Sequence, residues 1–152
     1  MKKIVWIVVA NRAAARLFQA SQPTGPLEEL DAFIHPEGRL QEHDLVSDRP
    51  GRSFDRYGAG RHAEDPDTEA TEQEATNFAV QLSRFLHKAR CDRKFDTLVL
   101  VAAPAFLGAL RERLDVPTRE RITLEVDKNL VQRSAGEIRS HLPEKLYSAV
   151  GV

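Results

Sequence analysis

The chain has 152 residues, 41% hydrophobic and 30% charged, with 22 Lys+Arg against 23 Asp+Glu for a formal net charge of −1. That length suits one domain with one core, and that composition excludes a disordered tail or a fibre. The charge balance excludes bulk electrostatic coating of nucleic acid. The single cysteine, Cys91, excludes an intrachain disulfide framework and any zinc site built on two or four thiolates of one chain.

Met1-Lys2-Lys3 followed by apolar Ile4 to Ala10 superficially resembles a secretory signal. The run stops after seven residues at Asn11-Arg12 and is rich in Ile and Val, which suits a strand buried on both faces. No other apolar stretch approaches the ~20 residues needed to span a bilayer. A cytoplasmic protein without a membrane partner is the expectation. Ala14 to Ala20 reads as a returning strand, and Ser21 to Pro26 as a turn. Leu27 to Ile34 reads as a third strand, with Leu30, Ala32 and Ile34 alternating along one face. Three strands on short connections predict an antiparallel meander.

Residues 35–66 have no sustained period and carry Gly38, Gly51, Gly58, Gly60, Pro36, Pro50 and Pro66. A loop this long inside one domain is uncommon and often functional. The strongest helix follows: Ala75, Phe78, Ala79, Leu82, Phe85, Leu86 and Ala89 recur at helical spacing for four turns. Thr71 and Glu74 have capping-box spacing at its start, and Arg84, Lys88 and Arg90 complement the dipole at its end.

Thr97 to Ala102 reads as a central buried strand. Pro104 suits the first turn of a second helix carrying Phe106, Leu107, Leu110 and Leu114. Ile122 to Val126 is a fifth strand. Ser134 and Glu137 form a second capping box, and Ile138 and Leu142 give its helix an apolar edge before Pro143. The order β-β-β-α-β-α-β-α predicts an α/β fold in a single domain spanning 1–152. Its right-handed crossover makes the last two strands parallel within a mixed five-stranded sheet with helices on both faces. This order resembles the three-layer ribonuclease-H-like architecture, a likeness that assigns no chemistry by itself.

Two-metal nuclease chemistry needs converging carboxylates. The first strand carries no acid and ends at the neutral Asn11, the central strand ends in Ala102-Ala103-Pro104, and Glu74 alone holds no metal pair. His35, His43 and His62, with Asp44, Glu64 and Asp65 nearby, match no compact ligand motif. Cys91 closes a helix, where the dipole does not stabilise a thiolate, and reads as a half-buried structural thiol. Neither a nucleophile elbow nor a phosphate-loop or dinucleotide fingerprint occurs. The start of the helix at Pro104 offers free amides to an anion, as every strand-to-helix junction does. No catalytic residue, metal or cofactor is assigned.

The richest stretch is Asp48-Arg49-Pro50-Gly51-Arg52-Ser53-Phe54-Asp55-Arg56-Tyr57-Gly58-Ala59-Gly60-Arg61. Pro50-Gly51 suits the centre of a type II turn following Asp48. From Arg49 to Arg61, the arginines Arg49, Arg52, Arg56 and Arg61 stand against Asp55 alone, a local charge of +3. Guanidinium forks bind phosphate in bidentate fashion, and Phe54 and Tyr57 offer stacking faces for bases. The alternative is a solvated loop whose arginines pair with Asp44, Asp48, Asp55, Glu64 and Asp65.

Trp6 to Phe18, Ser47-Asp48-Arg49-Pro50-Gly51-Arg52, Phe95 to Pro104, Leu107-Gly108 and Leu110-Arg111 occur in order. Together they resemble the bacterial family named for a protein required for attachment to host cells. That family usually shows an acid where Asn11 stands, a departure that weakens any metal role there. The family is in turn similar to the middle domain of archaeal and eukaryotic peptide-chain release factors, whose long loop carries Gly-Gly-Gln. Here Gly58-Ala59-Gly60-Arg61 has no Gln after its glycines. The resemblance therefore implies a non-enzymatic module facing a ribosome or structured RNA more readily than a peptidyl-tRNA hydrolase. The competing expectations are a factor promoting host attachment, through a protein partner or surface-component expression, and a nucleotide or RNA hydrolase.

Overall fold

The computed structural model describes residues 3–34 and 64–147. Its strands are β1 (Val5–Ala10), β2 (Ala14–Ala20), β3 (Glu28–Ile34), β4 (Thr97–Ala102) and β5 (Ile122–Val126). Its helices are α1 (Glu64–Cys91), α2 (Pro104–Arg113), the short α3 (Val116–Arg119) and α4 (Ala135–Ser140). The sheet order is β3-β2-β1-β4-β5. β1 pairs antiparallel with β2 and parallel with β4, β2 pairs antiparallel with β3, and β4 parallel with β5.

The centre of this mixed α/β sheet is the most apolar segment of the chain. Every residue of β1 is buried, so the strand has no solvent face, as its run of Val and Ile anticipates. Alternate residues feed two cores. On one face Trp6, Val8, Leu98 and Leu100 meet Phe78, Leu82 and Leu86 of α1 and Phe106 and Leu110 of α2. Trp6 stacks on Phe85 at 6.1 Å between ring centroids and lies 5.1 Å from Phe95. On the other face Val5, Ile7, Val9, Phe18, Val99 and Val101 meet Leu130, Val131, Ile138 and Leu142. All seven residues of the helical stripe read from the sequence, Ala75 to Ala89, are buried or half-buried along α1.

Four local readings are corrected. The helix begins at Glu64, seven residues before Thr71, so the Thr71/Glu74 spacing lies inside α1 and marks no helix start. The expected loop at 35–66 accordingly loses 64–66 to α1, where Pro66 falls in the first turn and removes no helical hydrogen bond. Leu30, Ala32 and Ile34 are exposed, and Phe33 is the β3 residue that reaches the core, 4.8 Å from Phe85. The cause is a register shift opposite Leu17/Phe18, together with the position of β3 at the sheet edge. Finally, Val116–Arg119 adds a short helix that periodicity could not reveal in four residues.

The second capping box is present in both directions: Ser134 Oγ accepts from the Glu137 amide, and Glu137 reaches back to the Ser134 amide. Helix α1 ends in a Schellman motif, in which the Lys94 amide donates to Ala89 O and the Arg93 amide to Arg90 O, both at 2.9 Å. Arg93 takes the left-handed conformation this requires, with φ of 59°. Arg139 joins α4 to the β2–β3 turn. Its guanidinium donates to the carbonyls of Gly25 (3.0 Å), Pro23 (3.3 Å), Pro143 (2.7 Å) and Glu144 (2.7 Å).

Candidate functional site

Arg49, Arg52, Phe54, Arg56, Tyr57 and Arg61, with the turn residues Asp48, Pro50 and Gly51, lie outside the described residues. So do His35, His43 and His62. The described chain nevertheless places both sides of that stretch. Ile34 pairs with Ala14 beside the β1–β2 turn, and the following α1 brings Glu72 and Thr76 to the same end of the sheet. This is the carboxyl end of the parallel strands β1, β4 and β5. Here the connections diverge, β1 turning back into β2 while β4 crosses through α2 towards β5. In open α/β sheets such a switch point opens a crevice where ligands bind.

The crevice is present as a cavity of about 550 Å³ between the β1–β2 turn, α1 and the start of α2. Small side chains create it: Ala75, Ala103, Ala105 and Ala109 leave a space floored by Phe106. Its polar lining comes from Asn11, Arg12, Glu72, Thr76 and Asn129. Asn11 owes its position to backbone geometry. Its Oδ1 accepts from the amides of Ala13 (2.8 Å) and Ala14 (2.9 Å), closing the tight turn that an apolar residue could not close. Its Nδ2 donates to Asn129 Oδ1 at 3.3 Å, tying that turn to the segment after β5. This internal use is the role of Asn11, at the position where the sequence looked for a metal-binding acid. Among the described residues, no group of three His, Cys, Asp or Glu is arranged to hold a metal ion.

Arg12 projects at the exposed tip of the turn, and it makes no ion pair with any described residue. Across the cavity Ala103 caps α2 without a side-chain acceptor, Pro104 occupies the first position, and the first turn carries no acid. Leu107 N donates to Ala103 O at 2.8 Å, which leaves the amides of Ala105 and Phe106 without a helical acceptor. One guanidinium, two carboxamides, a hydroxyl and a partially positive helix end therefore surround the space. Glu72 on α1 is the single opposing carboxylate among its described lining residues.

A second guanidinium near this end is fully engaged. Arg16 grips Glu29 through two bonds, at 2.9 and 3.0 Å, and donates to the carbonyls of Val131 (2.7 Å) and Arg133 (2.6 Å). The hydrogen bond from Arg16 holds the Glu29 carboxyl below the usual range against the opposing effect of burial. Arg16 is a clamp between β2, β3 and the segment before α4, unavailable to a ligand.

Sequence reading reached the ends of this cavity without assembling it. Asn11 and the helix start at Pro104 were each visible, but Arg12, Thr76 and Asn129 carry no motif, and only the sheet order brings them together. Cys91 corrects a further expectation. It is exposed at the end of α1, remote from the cavity in the fold, and its neighbour is His87, one helical turn back.

Residues 6–142 match the model of a protein family described as protein required for attachment to host cells. No curated protein matches the sequence.

Proposed function

The chain belongs to the family of proteins required for attachment to host cells, and we propose that it acts as a non-enzymatic, cytoplasmic module that binds the phosphate backbone of structured or ribosomal RNA. The observation that carries this reading is the cavity at the switch point, where Arg12, without an ion pair among the described residues, stands across from an acid-free helix start. A phosphate fits that chemistry: amides and a guanidinium fork satisfy its oxygens, and Asn129 and Thr76 add neutral donors. The sheet order 3-2-1-4-5, with β2 antiparallel, supports the ribonuclease-H-like reading of the architecture and the likeness to release-factor middle domains.

In this reading the arginine-rich stretch works with the cavity. Arg49, Arg52, Arg56 and Arg61 supply further phosphate contacts, and Phe54 and Tyr57 stack on unpaired bases. The described chain flanking 35–63 leaves and re-enters the fold at the cavity's end of the sheet, which supports a shared surface.

Co-sedimentation of the full chain with ribosomes across a salt series tests the proposal. Binding should weaken with salt. The triple change Arg49→Ala, Arg52→Ala, Arg56→Ala and the single change Arg12→Ala should each lower the slope of log K against log salt. The expected loss is about 0.7 to 0.9 for every phosphate contact removed. A slope untouched by all four changes would remove RNA contact from the mechanism. The family description favours a second reading, promotion of attachment through a protein partner or surface-component expression. Fractionation separates the two, since a direct adhesin must be found outside the cytoplasm.

A further inference from the structure

Away from the cavity, His87 and Arg90 of α1 reach the sulfur of Cys91, and Asp115 and Thr118 at the start of α3 hold those two side chains. Cys91 Sγ lies 3.7 Å from His87 Nε2, and His87 Nδ1 lies 3.2 Å from Asp115 Oδ1. Asp115 is in turn held by Thr118, whose hydroxyl donates to Oδ1 at 2.7 Å, and by Arg90, whose Nη2 donates to Oδ2 at 3.4 Å. Thr118 is fully buried and accepts from Arg90 Nε at 2.9 Å, so both orienting groups are themselves fixed. Arg90 Nη2 also reaches Cys91 Sγ at 3.6 Å.

This is the connectivity of an activated thiol: nucleophile, imidazole, orienting carboxylate. Asp115 accepts from Nδ1, which places the imidazole proton there and leaves Nε2 as the acceptor facing sulfur. Burial pushes the Asp115 carboxyl up, but hydrogen bonds from Thr118 and His87 outweigh it and hold the group below its ordinary range. Asp115 is therefore ionised at neutral pH and able to stabilise an imidazolium. The thiolate so formed has two cationic neighbours, protonated His87 and Arg90. Of the other charged side chains on these elements, Lys88 pairs with Asp92 at 3.2 Å, and Arg119 donates to Leu114 O at 3.1 Å.

We propose that Cys91 is a thiol–disulfide exchange site that captures a low-molecular-weight disulfide, with His87 as proton acceptor and Asp115 as its positioning residue. His87 Nε2 takes the Cys91 proton, and the thiolate attacks one sulfur of the incoming disulfide. The S–S bond of the reactant breaks as the Cys91 mixed disulfide forms. The departing thiolate recovers the proton from His87, so one thiol and one disulfide give one thiol and one disulfide. Exposure of both Cys91 and His87 suits a small reactant arriving from solvent. With no second cysteine in the chain, the adduct has no internal thiol to resolve it and persists until an external thiol removes it. This inference stands apart from RNA binding.

The test incubates the full chain with glutathione disulfide and follows intact mass, with Cys91→Ser as the blank. The folded wild type should gain one glutathionyl group and react severalfold faster at neutral pH than the chain unfolded in urea, where His87 no longer stands beside the sulfur. His87→Gln should remove the advantage, and its rate should depend on pH more steeply than that of the wild type. Asp115→Asn should lose part of it with the same change of profile. Both variants are checked for a native melt, and the unfolded chain supplies a reference independent of variant folding. Equal rates for folded and unfolded wild type, a His87→Gln profile identical to wild type, or a covalent dimer in place of the adduct would each overturn the proposal.

Discussion

Arg139→Ala should destabilise the fold by about 3 kcal/mol, although Arg139 belongs to neither hydrophobic core. The side chain donates to four backbone carbonyls, and those of Gly25 and Pro23 are the part-buried acceptors. A hydrogen bond from a charged donor contributes roughly 1.5–3 kcal/mol, and a part-buried carbonyl recovers little hydration when its donor is deleted. Two such bonds at the lower value give about 3 kcal/mol. The bonds to Pro143 and Glu144 are exposed, so water replaces the donor there at small cost. In a domain of this length the midpoint of thermal unfolding should fall by about 6–12 °C. Arg139→Lys keeps the charge but loses the planar fork, and should recover no more than half the deficit. Paired urea and thermal melts followed by circular dichroism measure both variants. A deficit below about 0.5 kcal/mol for Arg139→Ala would refute the claim that this guanidinium holds the two segments together.

Three further outcomes follow from packing, backbone and charge. Leu100→Ala, at a fully buried position of β4 between the sheet and the α1–α2 layer, should cost about 2–5 kcal/mol in urea melts. Arg93→Gly should stabilise the chain by roughly 0.5–1 kcal/mol, because glycine takes the left-handed conformation without the Cβ clash and the Schellman bonds are kept. The carboxyl of Asp115 is held below its unfolded value, so its contribution is fully present above about pH 4 and is lost as pH falls through the folded value. Acid titrations of stability should therefore be shallower on the acid side for Asp115→Asn than for wild type.

The parts of the fold written in the sequence are those where one local rule acts alone. The run of β1, rich in Val and Ile, announced a strand with no solvent face; β2 was bounded to the residue by flanking polar turns, and β4 by Asp96 before it and the helix start at Pro104 after it. The helical stripe of α1 and the Ser134/Glu137 box were equally legible, since each depends on spacing within a few turns. Reading failed where tertiary context decides. The seven residues before Thr71 are helical without an apolar stripe, so periodicity had nothing to detect. Leu30, Ala32 and Ile34 alternate as a buried face would, but the register shift and the free edge of β3 turn them outward. The cavity and the Cys91 constellation share this character. Arg12 and Thr76 are 64 positions apart, and Cys91 and Asp115 are 24 apart, with no motif joining either pair. The Cys91–His87 spacing of one helical turn was the one available signal, and only the α2–α3 junction gives it meaning.

The parallel pairing of β1 with β4 has a consequence during synthesis. The β1–β2–β3 meander is complete once Ile34 is made, but the partner of β1 ends at Ala102, 68 residues later. At about 5–20 residues per second, a nascent chain spends roughly 3–14 s with the most apolar strand of the protein unpaired along one edge. Over that interval β1 is a natural target for holdase chaperones. Slowing elongation between codons 35 and 102 should raise the aggregated fraction more than the same delay placed after codon 102.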